Sequence, residues 1–173
     1  WFGGGATDVA EVHTPSIHIT AEGFPHPTLR HELVHALASE YGFWGLGFHP
    51  NMAFTEGLAV ALAPEEDDTS LDDGAAYLYK SKKLPSIRNL FSPLFWSESG
   101  ARAYTVAGST LNFLIDNYGF EKVMAIYGGA SWDDALGEAQ NTTLRKWRDY
   151  VVKNYDEGAE LTKEALFRFP GVL

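Results

Sequence analysis

The chain has 173 residues, 45% of them hydrophobic, which suits one folded domain with a sizeable core and excludes a disordered chain. Its formal charge of −10 repels a phosphate backbone, so nucleic acid is not an expected partner. No cysteine is present, which excludes disulfides, and no apolar run reaches the about 18 residues that a membrane-spanning helix takes.

In chain order, the sequence opens Trp1-Phe2-Gly3-Gly4-Gly5 with no initiator Met, as a domain cut from a longer protein would. Ser16-Ile17-His18-Ile19-Thr20 alternates as a strand does, and nearly everything after Pro27 carries helical periodicity. Helices are predicted at about 28–41, 52–63, 73–82, 101–118, 120–127, 132–139 and 143–155. Gly42, Pro64 and Gly119 are expected to end helices, Ser131 with Asp134 resembles a capping box, and Asn141 or Thr142 can cap the last long helix. The expected fold is therefore mainly α with a small sheet (α+β), a single domain over 1–173. It divides into a strand and loop region (1–26), two helices that carry a site (27–63), a helical part (64–155) and a tail (156–173).

The first predicted helix carries His31-Glu32-Leu33-Val34-His35, read HELVH within TLRHELVHALASEYG. Residues four apart on an α-helix differ by only about 40° around the axis, so two imidazoles can grip one ion. Zinc suits them, because it accepts neutral His nitrogen at about 2.0 Å in tetrahedral geometry. Glu32 points about 100° away, close enough to reach a zinc-bound water without ligating the metal, which is the position of a general base. Two His and a Glu on an otherwise apolar helix are costly to bury without partners, so a ligand role explains them better than packing does.

Catalytic zinc takes three protein ligands and keeps one position open. The extension H-E-x-x-H-x-x-G-x-x-H would need Gly at position 38 and His at position 41, where the chain has Ala38 and Tyr41. The next helix, residues 51–63, carries one carboxylate, Glu56, among Ala, Leu, Val and Phe. A carboxylate there is expensive to bury alone and gains a partner in the ion.

HELVHAL followed by Phe54-Thr55-Glu56-Gly57-Leu58-Ala59-Val60 resembles the gluzincin metallopeptidases, whose third ligand lies in an N-E-G-F-A type helix. Residues 84–91, 103–109 and 113–119 resemble bacterial peptidase MA-like domains, so the resemblance spans about residues 16–152. It implies a zincin-like catalytic domain with His31, His35 and Glu56 as Zn2+ ligands, Glu32 as the base, and a peptide or protein as substrate. Two departures stand out. Thermolysin-like members place Asp four residues after the third ligand, and here that residue is Val60. The upstream G-x-M-x-N strand of aminopeptidases does not occur in the thirty residues before His31, so an aminopeptidase specificity is not implied.

In such a site zinc lowers the pKa of bound water to about 7, and Glu32 accepts the proton as the peptide carbonyl is attacked. Tyr104 is the candidate donor to the tetrahedral oxyanion, since a phenol stays neutral at pH 7, with Tyr77 and Tyr79 as rivals. Four other histidines, His13, His18, His26 and His49, are given no role, although His26 could cap the motif helix and His49 lies between the two site helices. Lys80, Lys82 and Lys83 read as a solvated helix end, and the acids Glu65, Glu66, Asp67, Asp68, Asp72 and Asp73 as a loop and helix start without calcium-loop spacing. Only thirty residues precede the motif, whereas related peptidases build a larger sheet there. The competing expectation is thus a catalytically silent binding domain that keeps the metal site. Relatives of this type are often exported, which implies an extracytoplasmic or cell-envelope location.

Overall fold

The structure, a computed structural model, describes residues 5–8, 16–19, 26, 28–63, 70–98 and 100–154. His13, Pro27, Pro64, the acids Glu65 to Asp68 and the predicted tail at 156–173 lie outside the described residues.

The fold is mainly helical. Strand β1 (Gly5–Asp8) pairs antiparallel with β2 (Ser16–Ile19), in the register Gly5 with Ile19 and Asp8 with Ser16. The helices are α1 (Leu29–Ala38), α2 (Met52–Leu62), α3 (Leu71–Lys80), α4 (Ile87–Leu90), α5 (Gly100–Tyr118), α6 (Phe120–Tyr127), α7 (Trp132–Leu136) and α8 (Gln140–Asn154). Among the described residues no helix is long and apolar enough to cross a membrane.

The core forms where α2 and α5 lie along each other, with α1, α3, α6 and α8 around them. Phe54, Leu58 and Val60 of α2 and Val106, Ala107, Leu111 and Leu114 of α5 are buried there. Small residues let the two backbones approach: a Cβ on Gly57 would stand 3.0 Å from the carbonyl carbon, the oxygen and the Cβ of Ala107. Gly57→Ala is therefore expected to cost about 1–3 kcal/mol in urea denaturation, more than the about 0.5–1 kcal/mol gained in helix propensity. An unchanged midpoint would show that α2 can move away freely.

Side-chain caps set several helix starts. Asn51 Oδ1 accepts the Ala53 N–H at 3.0 Å to open α2. Ser131 Oγ accepts the Asp134 N–H at 3.1 Å and donates to Asp134 Oδ2 at 2.6 Å, so the cap closes through the two side chains rather than through the Ser131 N–H of a full capping box. Four expected boundaries are corrected. Helix α1 stops at Ala38, and a 3₁₀ turn over Ser39–Tyr41 carries the chain to Gly42. Gly42 is needed for a close approach rather than a left-handed cap, because its φ is −58° and a Cβ there would lie 2.5 Å from the Gly47 carbonyl carbon. Helix α7 ends at Leu136 instead of near 139, since Gly137 turns left-handed at φ 77° and closes the helix onto Asp133. Helix α8 begins at Gln140, which puts Asn141 and Thr142 inside its first turn rather than at its cap. Helix α3 starts two residues early, at Leu71, because Ser70 caps it through the Asp73 N–H. Lys80, Lys82 and Lys83 lie exposed at its end, as expected.

A polar chain ties three helices together inside this shell. Trp147 Nε1 of α8 donates to Ser109 Oγ of α5 at 2.9 Å, and Ser109 donates to Asp72 Oδ1 of α3 at 2.6 Å. Burial, with the charges of Asp73 and Asp116, holds the Asp72 carboxyl above the usual carboxylate range despite the hydroxyl bonds it accepts. With the folded pKa raised, the fold binds an extra proton just above the unfolded value, so stability falls as pH rises through that window. Asp72→Asn, which keeps the acceptor oxygen, is expected to raise the melting temperature at pH 7. The gap should close below about pH 4, where the unaltered residue is protonated. A variant that melts lower at pH 7 would overturn this.

Candidate metal site

Helix α1 sets His31 and His35 on one face, with ring centroids 4.7 Å apart and planes at 83°. Their Nε2 atoms stand 3.0 Å apart. Helix α2, packed against α1, brings Glu56 Oε2 to 3.3 Å from His31 Nε2 and 3.6 Å from His35 Nε2. Among the described residues these three form the group of His and acidic donors close enough to hold a metal ion.

The triangle has a size that can be tested against chemistry. Donors at about 2.0–2.1 Å from a tetrahedral ion stand about 3.3 Å from one another. The observed edges of 3.0, 3.3 and 3.6 Å bracket that value. Two imidazole nitrogens and a carboxylate oxygen at this separation need a proton or a cation among them. The donor set suits zinc in both type and spacing.

The three groups are strongly coupled electrostatically. Burial opposes ionisation of Glu56, yet hydrogen bonds and charge from His31 and His35 outweigh it and hold its pKa down to about 2. Burial likewise opposes protonation of His35, and Glu56, with Glu32 behind it, raises its pKa all the same. Glu32 is 7% exposed, and its charge adds to the rise in pKa at both His35 and Tyr104.

Tyr104, near the start of α5, stacks on His31 with centroids 6.4 Å apart. Burial first, then the charge of the nearby Glu56 carboxylate, pushes the phenol far above its ordinary pKa. Its ring rests on Phe95, 5.9 Å away. The rivals Tyr77 and Tyr79 lie on α3, which packs on α5 and α8.

His49 stays out of the triangle. Its Nδ1 accepts the Asn51 N–H at 2.9 Å, and its ring packs against Phe54, Phe43 and Tyr127. Burial lowers its pKa. The loop it occupies is stitched to α2 by Thr55, which accepts the His49 N–H at 3.1 Å and donates to the His49 carbonyl at 3.0 Å. Thr55 thus fixes the turn of helix that presents Glu56, a role the sequence reading missed. His26 is buried, and its Nδ1 faces the Thr28 hydroxyl at 2.9 Å and the Thr28 N–H at 3.3 Å, at the start of α1. Val60, where thermolysin-like chains carry Asp, packs into the core beside Gly108.

Comparison of the chain with protein families, with curated proteins and with solved structures returns no match.

Proposed function

We propose that the chain is a zinc-dependent metallopeptidase of gluzincin type, a zincin-like catalytic domain that hydrolyses peptide bonds in a peptide or protein substrate. The observation that carries this reading is the His31, His35 and Glu56 triangle, whose edges match those of a tetrahedral ion. The HELVH and FTEGLAV segments that supply it support the same class.

Bound zinc would supply a Lewis acid and a water acidic enough to deprotonate near pH 7. Glu32, next to His31 on the same helix, would take that proton and hand it to the leaving amine. Tyr104 keeps its proton, since burial and Glu56 both resist its loss, and its O–H would donate to a developing oxyanion. Tyr104→Phe is expected to lower kcat by about 10²–10³ with KM little changed. An undiminished kcat would reduce Tyr104 to a packing residue for His31.

The test of the class is direct. Elemental analysis of the purified chain should find about one zinc per molecule, and the same sample should cleave an unstructured protein until a chelator is added. No zinc after supplementation would sink the metal reading. A specific observation favours a second reading, a catalytically silent binding domain: among the described residues the sheet has two strands of four residues each, little edge on which to lay a substrate backbone. A zinc-loaded chain that cleaves nothing across a broad peptide library would decide for it. The peptidase reading carries an extracytoplasmic or cell-envelope placement, which fractionation of the source cells would check.

A further inference from the structure

An open cleft of about 510 Å³ lies between α4 and the first half of α8, built from residues that take no part in the metal site. Arg88 of α4 and Arg145 and Arg148 of α8 line it, three of the six arginines in the chain. Arg145 and Arg148 are three apart and so share a face of their helix. Among the described residues no carboxylate lines the cleft. Arg148 pairs with its sequence neighbour Asp149 at 3.1 Å, while Arg88 and Arg145 are exposed and have no ion-pair partner among the described residues.

Such a gathering is unexpected on charge alone. Acidic groups outnumber basic ones by 23 to 13, so most cations could find a nearby anion. Here three arginines line one space, and only Arg148 has a carboxylate paired with it among the described residues. An arriving oxyanion would find positive charge there and donors of the planar, bidentate kind that suit carboxylate and phosphate. The other neutral lining groups, Ser92, Gln140 and Asn141, add donors, and the last two lie at the positive end of the α8 dipole.

The floor is apolar. Ile87, Phe91 and Leu144 form it, with Phe91 held edge-on by Phe54 at 5.8 Å and Trp132 at 5.9 Å. Apolar walls with a few convergent polar groups, in a volume between about 300 and 1,000 Å³, describe a small-molecule site.

We infer that this cleft binds a small ligand joining an oxyanion, phosphate or carboxylate, to an apolar ring or chain, at a site separate from the metal centre. Isothermal titration of the intact protein at fixed ionic strength tests it, with phenyl phosphate, benzoate and inorganic phosphate as probes. Saturable binding is expected for phenyl phosphate or benzoate, tighter than for inorganic phosphate because only the first two cover the floor. Binding of phenyl phosphate alone assigns a phosphate ligand, and of benzoate alone a carboxylate. Arg88→Gln and Arg145→Gln should each weaken that binding about tenfold or more, as loss of a charge-assisted hydrogen bond does. Both side chains are exposed, so the variants should fold. Lys122→Gln, an exposed charge on α6 outside the cleft, should leave binding unchanged. Absence of saturable binding by all three probes overturns the inference. So does binding that neither arginine variant weakens, which is what an anion seated at the metal site would give.

Discussion

A Glu56→Ala chain is expected to hold only a small fraction of the zinc that the unaltered chain takes up if the proposed site is filled, and to gain no thermal stability from added zinc. The expectation follows from the triangle. His31 and His35 on one helix offer two neutral donors, and Glu56 from the neighbouring helix supplies the third donor and the only negative charge among the three. Without it the ion bridges nothing between α1 and α2. In the unaltered chain, zinc at about 100 times its dissociation constant should stabilise the fold by about 2.7 kcal/mol. For a chain of this size that corresponds to a rise in melting temperature of roughly 5–11 °C. Because alanine also removes buried volume, Glu56→Gln serves as the control that preserves shape: it should fold and still show a much smaller zinc shift. Full zinc occupancy in both variants would mean that the third ligand lies elsewhere.

The two halves of this site differ in how visible they are in the sequence. HELVH is local, and its spacing fixes where both imidazoles point once a helix is granted. Glu56 is also legible, because a lone carboxylate in an apolar helix calls for a partner, and Asn51 marks where that helix starts. Tyr104 is legible only as one of three tyrosines. What selects it is a long-range contact: α5 lays Ala107 against Gly57, and Tyr104 lies one helical turn before Ala107, so it arrives beside Glu56. No pattern within residues 100–118 announces that pairing. The same limit explains the arginine cleft. Lys80, Lys82 and Lys83 form the basic cluster that a linear scan sees, while the cations that converge in space come from residues 88, 145 and 148. Strand β1 and the four-residue α4 are too short to carry a period, and the early end of α7 turns on Gly137 adopting a left-handed φ.

Glu32→Gln should separate holding the metal from using it. The side chain keeps its length and shape, so at 7% exposure it should fit where the carboxylate does, and it removes a group that is not one of the three converging donors. Zinc content and zinc-induced stabilisation are therefore expected to stay at the unaltered level. Cleavage is not, because an amide cannot take a proton from the attacking water or return it to the amine. Loss of a positioned general base costs about 10²–10⁴ in rate, and in the proposed reaction one residue would serve as base and then as acid, so kcat/KM should fall at least that far. The pair of variants then reads as a cross: Glu56→Gln loses zinc and activity together, while Glu32→Gln loses activity alone. A Glu32→Gln chain that cleaves at the unaltered rate would remove Glu32 from the chemistry. One that also loses zinc would make Glu32 part of the metal's support, since its charge already reaches His35.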